Sequence, residues 1–441
     1  MEIPSSSAAR AARLASLPIG YAGRATLGLG RRLGGAPAEA VNAEVQRRTA
    51  EQLFKVLGQL KGGAMKMGQA LSVMEPALPE ELIEPYREAL VKLQEAAPPM
   101  ARATIRRQLA RELGPHWHTL LHDFDETPAA AASIGQVHRA RWKDGRQVAV
   151  KIQYPGAGEA LMADFRQLSR LARAMAVAAP GLDMEPLMDE LQERVAEEVD
   201  YGLESHAQQT FARAFAADPQ IHIPRVLGRS KAVLVTEWVD GTPLSEIIRT
   251  GDQAERNRAG ELLSVFHFSS PTRARMLHAD PHPGNFRIAP DGRLVVFDFG
   301  AAARLPDGPH LIVGQVARAV VDGDSEAAER ALRAGGFIKP DVDVNAEDLL
   351  DYLGLFVEPL RSEHFHFTRA WMRGLTVQVS DPRSPANRVG MKLNMPPSYL
   401  LIHRVTLGSA GVLCQLEADV AVRGIMERWQ PGFAPEPTIG P

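Results

Sequence analysis

The chain has 441 residues, 45% of them hydrophobic and 23% charged, with a net charge of −3. That profile excludes a disordered or fibrous chain, is long enough for more than one packed unit, and singles out no polyanionic partner, so no nucleic acid is expected. Cys414 is the only cysteine, which excludes an intrachain disulfide. The amino-terminal stretch carries Arg10, Arg13, Arg24, Arg31 and Arg32 with Glu2 as its one acid before Glu39. This basic arm, residues 1–44, suits an anionic membrane surface or a solvated terminus. Pro18, Gly20, Gly23 and Arg24 break its apolar run, so a secretory signal is not expected. The most apolar stretch, Tyr399 to Leu416, contains His403 and Arg404 and falls short of an uninterrupted membrane span. The expected location is cytoplasmic, with peripheral attachment to the inner face of a membrane through the arm.

From residue 45 to 115 the chain is predicted to be helical. Leu53, Val56, Leu57, Leu60, Ala64, Met67 and Leu71 recur at helical spacing, with a break at Gly62-Gly63. Further helices are predicted from Glu80 to Leu93 and from Arg102 to Leu113, the latter closed by Gly114. The period then changes. Gln136 to Trp142 and Arg146 to Gln153 are predicted strands joined at Lys143-Asp144-Gly145. Long helices are predicted over Met162 to Ala179 and Met188 to Ala216, and strands over Ile223 to Leu227 and Ala232 to Val239. Residues 116–241 thus form a small sheet with inserted helices. Residues 242–441 are predicted mainly helical, interrupted by short strands at Asn285 to Ile288 and Leu294 to Phe297 around Pro290-Asp291-Gly292.

The chemistry concentrates in His278-Ala279-Asp280-Pro281-His282-Pro283-Gly284-Asn285 and, one short hairpin later, Asp298-Phe299-Gly300. An aspartate, an asparagine five positions on, and an Asp-Phe-Gly after two strands is the spacing that gathers oxygen ligands around nucleotide phosphates in kinases. Asn285 and Asp298 supply the hard oxygens that Mg2+ prefers. Asp280 stands where a hydroxyl or water would be oriented or deprotonated. Val148-Ala149-Val150-Lys151 ends the second strand of the first hairpin, where a lysine reaches the phosphates. Its acidic partner lies on the following long helix, where Glu193, Glu197, Glu198 and Glu204 all qualify by spacing. The loop ahead of that hairpin, Ala129 to Gln136, is alanine-rich where an ordinary kinase is glycine-rich, so Ala131, Ala132, Ser133, Ile134 and Gly135 are expected to form a stiffer nucleotide loop. Glu237 and Val239, in Thr236-Glu237-Trp238-Val239, are expected to offer backbone hydrogen bonds to adenine.

Together the alanine-rich loop, the His-Ala-Asp-Pro-His-Pro-Gly-Asn loop and the Asp-Phe-Gly resemble the UbiB/ADCK (AarF) family of atypical kinases. The family's Lys-x-Gly-Gln motif is matched by Lys66-Met67-Gly68-Gln69, and its Glu-x-Asp by Glu198-Val199-Asp200. The match runs in order from about Glu51 to Gly300 and more loosely through His403-Arg404 and the small-residue helix after it. The resemblance implies an α+β, bilobal protein-kinase-like fold with an N-terminal helical extension and helical insertions in the small lobe. It implies ATP and Mg2+ as cofactors and Glu204 as the partner of Lys151. It also implies that the extension covers the active site, with Lys66 and Gln69 over the phosphates and Lys66 held by Glu198 and Asp200.

Protein kinases close their activation segment with Ala-Pro-Glu, which supports a peptide substrate. Here Pro306 and Gly308 lead directly into an apolar helical stretch, Leu311 to Val321, and the one Ala-Pro-Glu, at Ala434 to Glu436, lies in a proline-rich tail. The expected activity is therefore ATP hydrolysis or phosphoryl transfer to a small or lipid-like substrate, by resemblance in isoprenoid-quinone metabolism. A protein kinase and a nucleotide-gated lipid-binding scaffold are the alternatives.

Overall fold

The computed structural model describes residues 99–132, 134–159, 162 and 200–434. The basic arm, the Lys66/Gln69 helix, Ser133, Glu198 and most of the helical insertion predicted from residue 162 lie outside the described residues. Two compact units result, the first containing residues up to 201 and 229–235, the second 202–228 and 236–434.

The first unit starts with helix α1 (Arg102–Leu113), which ends at Gly114 with φ +91°, a backbone conformation that favours glycine. Ile105 and Leu109 turn into the core, and Gln108 Nε2 donates to the Gln153 carbonyl at 3.2 Å. Strands β1 (Leu121–His122), β2 (Ala130–Ala132), β3 (Gly135–Trp142) and β4 (Gln147–Gln153) follow. The β3–β4 turn places Gly145 at φ +91°, where the sequence predicted it. Val148, Val150 and Ile152 are fully buried on one face of β4, which puts Ala149, Lys151 and Gln153 on the other. Part of the alanine-rich nucleotide loop is itself a strand. Ala130 and Ala131 pair antiparallel with Val137 and Gln136, so it is a strand folded back on β3.

Helix α2 (Tyr201–Ala214) begins at the end of the first unit and continues into the second. The strand predicted over Ile223 to Leu227 is in fact two pieces, β5 (Ile221–His222) and β6 (Val226–Arg229), because the bond into Pro224 has no N–H to continue a ladder. Strand β7 (Val233–Glu237) pairs beside β4 and stops two residues short of Val239.

In the second unit, β8 (Thr242–Pro243) leads to helices α3 (Leu244–Thr250) and α4 (Gln253–Ala274). The latter opens with a capping box in which the Asp252 side chain accepts from Glu255 N and Glu255 reciprocates. Strands β9 (Met276–His278), β10 (Phe286–Ile288), β11 (Leu294–Val296) and β12 (Ala302–Arg304) surround the two chemical motifs. Then come α5 (Leu311–Asp322), α6 (Ser325–Ala334), α7 (Ala346–Val357), β13 (Phe365–His366), α8 (Arg369–Ser380), α9 (Pro385–Gly390), α10 (Pro397–Leu416), β14 (Asp419–Val420) and α11 (Val422–Trp429). One core joins Phe211, Phe266, Phe286, Phe299, Val412, Leu416 and Phe433, so it reaches from α2 to the end of the described chain. Cys414 lies in it fully buried, and burial pushes its thiol up to about 12, which leaves it inert as a nucleophile at neutral pH. No helix among the described residues is long and apolar enough to cross a membrane.

Gly135 is required for a steric reason that the nucleotide-loop reading did not foresee. A Cβ there would run into the backbone carbonyl of Ile152 on β4 and lie 3.0 Å from the Tyr201 hydroxyl. Gly135→Ala should therefore destabilise the first unit by about 1–3 kcal/mol. A urea midpoint indistinguishable from wild type would show that the sheet absorbs the methyl group.

Candidate functional site

Strands β9 and β12 pair antiparallel, with His278 opposite Ala302 and Leu277 opposite Ala303. Ala279 N adds a bond to the Ala301 carbonyl at 2.9 Å. The end of β9 and the start of β12 are thereby held side by side, and the loop carrying Asp280 lies against the turn carrying Asp298. Between them the β10–β11 hairpin, in register Phe286 to Val296, returns the chain from Asn285 to Asp298. Phe297 N donates to the Asn285 carbonyl at 2.8 Å, which closes that return.

Each polar group in this loop has a defined task. Asn285 is 5% exposed, and its Nδ2 donates to the Asp280 carbonyl at 3.1 Å, which leaves its Oδ1 as an acceptor. Its backbone N–H donates to the His282 carbonyl at 2.9 Å. His282 Nδ1 accepts from Gly284 N at 3.1 Å and rounds off the turn. Asp280 is likewise only 5% exposed. Asp298 sits at φ +55°, a left-handed conformation that strains a side-chain-bearing residue, and its Oδ1 accepts from Gly300 N at 3.3 Å.

His278 supplies the restraint that the motif spacing did not reveal. Its Nε2 lies 3.1 Å from the Phe297 carbonyl and 2.9 Å from the Asp298 carbonyl. Both partners accept, so Nε2 carries the hydrogen and the ring is neutral. Burial holds its pKa below the usual imidazole range, against the opposing pull of Asp280. Its ring meets Phe299 edge-on at 5.2 Å and packs on Phe286 at 5.6 Å, and Phe299 packs on Phe211 at 4.9 Å. The sequence contained His278 inside the quoted motif. Its role was not legible because its partners are backbone carbonyls some 20 residues on, which carry no side-chain code.

Elsewhere, Lys151 stands in the middle of the β4 ladder opposite Val137, with its Nζ 5.2 Å from the centre of the Tyr201 ring. Glu204, 3% exposed, belongs to the first turn of α2, three residues past Tyr201. Asp200 is exposed immediately before that helix. Ala131 is exposed and Ala132 half-buried on β2, whereas Ile134 is buried and serves the core. Glu237 is the last residue of β7. Its N–H already donates to the Arg225 carbonyl at 2.9 Å and its carboxylate accepts from Arg225 N at 3.0 Å, so toward adenine it has a carbonyl rather than an N–H. Val239 follows outside the strand, and the Trp238 indole N–H between them donates to Asp240 at 2.8 Å.

The oxygens fit Mg2+. Asn285 Oδ1 is freed by the bond its own amide makes, the Asp298 carboxylate is only half-buried, and Mg2+ is usually held by one or two such groups with phosphates completing the shell. Among the described residues no cluster of three or more His, Cys, Asp or Glu could hold a metal ion.

The model of the ABC1 atypical kinase-like domain matches residues 92–332, more than half of the chain. This chain belongs to the ABC1 atypical kinase-like family. An Arabidopsis thaliana member, the chloroplastic Activity of BC1 Complex Kinase 3, is 32% identical over 68% of this chain and 42% of its own length. The mitochondrial atypical kinase COQ8B of Rattus norvegicus is 33% identical over 63% of this chain and 52% of its own. The mitochondrial atypical kinase coq-8 of Caenorhabditis elegans aligns over 96% of this chain at 26% identity, and over 57% of its own length. The chain thus spans about half the length of these curated relatives. A solved structure, Rv3197 with erythromycin from Mycobacterium tuberculosis, has a TM-score of 0.70 and 41% identity, covering 91% of this chain and 100% of that one. Membership in the ABC1 family and the α+β kinase-like fold agree with the resemblance drawn from the motifs.

Behind the loop, His267 on α4 shares its Nδ1 with Ser409 Oγ at 2.9 Å. Burial, with a smaller contribution from neighbouring His278, pushes it down to about 3 from its ordinary 6.5. Between those values the unfolded chain binds a proton that the folded chain refuses, so this group's contribution is intact above about pH 6.5 and erodes as pH falls. From pH 7.5 to 5.5, wild type should lose roughly 1 kcal/mol more stability than His267→Gln. Parallel pH dependence in urea unfolding would mean that His267 titrates normally.

Proposed function

We propose that this protein binds Mg2+-ATP and either hydrolyses it or transfers its terminal phosphoryl group to a small or lipid-like acceptor, as an atypical kinase of the ABC1 family. The observation that carries the reading is the convergence of Asp280, Asn285 and Asp298 on one loop system, with Asn285 Nδ2 bonded to the Asp280 carbonyl and His278 to the Asp298 carbonyl. Carboxylate and amide groups carried on a backbone fixed in this way suit a reaction in which catalysis is mainly positioning and charge neutralisation. In this reading Asn285 and Asp298 hold Mg2+, which neutralises phosphate charge when bound. Asp280 accepts the proton of the attacking hydroxyl or water as the new O–P bond forms and ADP departs. Lys151 contacts the phosphates and pairs with Glu204. Ala131 and Ala132 border the phosphates from β2, the Glu237 carbonyl and Val239 face adenine, and Lys66 and Gln69, with Glu198 and Asp200, regulate access.

The route from Gly300 to α5 supports a small acceptor over a peptide. Only residues 301–310 intervene, and three of them are strand β12. Gly308 turns the chain at φ +80°, and α5 starts at Leu311 with no platform between. Ala434, the start of the distant Ala-Pro-Glu, bridges to Pro431, and the same segment's backbone lies so close to Gly314 of α5 that a Cβ there would strike it. The lipid or isoprenoid-quinone context follows from the family resemblance.

Two substitutions separate binding from turnover. Asp298→Asn should abolish the Mg2+-ATP-dependent rise in melting temperature, because it removes the charged metal ligand. An unchanged shift would put the nucleotide elsewhere. Asp280→Asn should keep that shift but reduce ADP release by ~10²-fold or more. Equal ADP release in mutant and wild type would remove Asp280 from the mechanism, and its absence in both would favour a nucleotide-gated scaffold.

A further inference from the structure

The second unit contains a pocket of about 180 Å3, open to solvent at one end, that none of Asp280, Asn285 and Asp298 lines. Its walls are mostly apolar, including Leu277, Phe367, Trp371, Val405, Leu413 and Met426. A cavity of about 150 Å3 with such walls holds benzene, so this one has room for a molecule of six to eight carbon atoms, roughly. One long wall is α10, the helix that contains His403-Arg404 and the small residues after them, to which the kinase chemistry assigns nothing.

Most of its polar groups share one character. Ser264 Oγ donates to the Gly260 carbonyl at 2.8 Å, Thr406 Oγ1 to Ile402 at 2.9 Å and Ser409 Oγ to Val405 at 2.8 Å. A hydroxyl has one hydrogen, so what each turns to the cavity is a lone pair. The Ser409 contact with His267 Nδ1 must then be donated by the ring, which makes His267 Nε2 an acceptor too, and that atom is buried without a partner. The Trp371 indole N–H is engaged by Glu358 at 2.8 Å, and Gln430 Nε2 by the His310 carbonyl at 2.9 Å. His310 itself, half-buried, packs its ring on Tyr399 at 4.6 Å. The cavity therefore combines an apolar body with an edge where acceptors outnumber donors, the His310 imidazole N–H being the exception.

We propose that this cavity is a binding site, separate from the nucleotide site, for a small apolar molecule carrying one hydrogen-bond donor, of the class of a medium-chain or cyclic alcohol. A donor meets waiting lone pairs, whereas an ether or ketone of the same shape brings acceptor to acceptor and leaves both unsatisfied. The site does not depend on whether the protein turns over ATP.

The test compares 1-hexanol with its isomer methyl pentyl ether, titrated into the full chain and followed by the Trp371 indole N–H resonance, assigned with Trp371→Phe. Saturable perturbation by hexanol, with the ether at least ~5-fold weaker, is expected from the loss of one hydrogen bond. Thr406→Val, which keeps shape and removes an acceptor at the solvent-exposed end, should narrow that ratio. Ala410→Phe should fill the cavity and abolish the response. No perturbation in wild type, equal affinity for alcohol and ether, or an undiminished response in folded Ala410→Phe would each overturn the proposal. If Ala410→Phe fails to fold, the alcohol-to-ether ratio in wild type decides alone.

Discussion

One hydrogen holds the candidate site in shape, the proton on His278 Nε2 that the carbonyls of Phe297 and Asp298 share. A left-handed aspartate is strained by itself and persists only where its surroundings fix it. Here the imidazole fixes the carbonyl side of the peptide and Gly300 N holds the carboxylate. Because burial keeps the ring neutral, the tautomer with hydrogen on Nε2 is compatible with two acceptors, and its Nδ1 has no partner to compete for that hydrogen. Asn285 does the corresponding work on the other motif by bonding the Asp280 carbonyl. The backbones of Asp280 and Asp298 are thus each fixed by a side chain of the loop from His278 to Asn285.

Those bonds hold because the aromatic core behind them is continuous. His278 contacts Phe266, Phe286 and Phe299, and Phe211 of α2 packs on Phe266 and Phe299. The polar turn therefore rests on side chains that cannot shift without opening voids. His267, next along α4 from Phe266, extends the contact network toward Ser409 of α10. The apolar cavity shares the wall residue Leu277 with the strand that ends in His278, so two different chemical environments, one for charged oxygen and one for hydrocarbon, are separated by a single strand.

Much of this was legible from residues alone. The helix over Arg102–Leu113 and its Gly114 terminus, the turn at Gly145 and the hairpin around Gly292 follow from local stereochemistry, and the structure has each at positive φ. Spacing alone named Asp280, Asn285 and Asp298 as one group. That Ala130 to Ala132 of the alanine-rich segment form a strand was not legible, because alanine has no local preference for pairing, and the neighbouring strand β3 decided the outcome. The strand across Pro224 was misjudged because hydrophobic pattern outweighed the missing N–H. Gly135 was assigned to phosphate approach, yet the atom that forbids a side chain there is the Ile152 carbonyl, which no sequence window contains.

By itself the sequence determined the family and the α+β class and grouped Asp280, Asn285 and Asp298, since these depend on residue type, period and short spacing. Tertiary structure alone decided that His278 serves the Asp298 backbone, that the Glu237 N–H is already engaged and that hydroxyls on α4 and α10 present acceptors to a common cavity. The physical reason is the same in each case. Backbone carbonyls are identical at every residue, so which one a side chain finds is set by how distant segments pack.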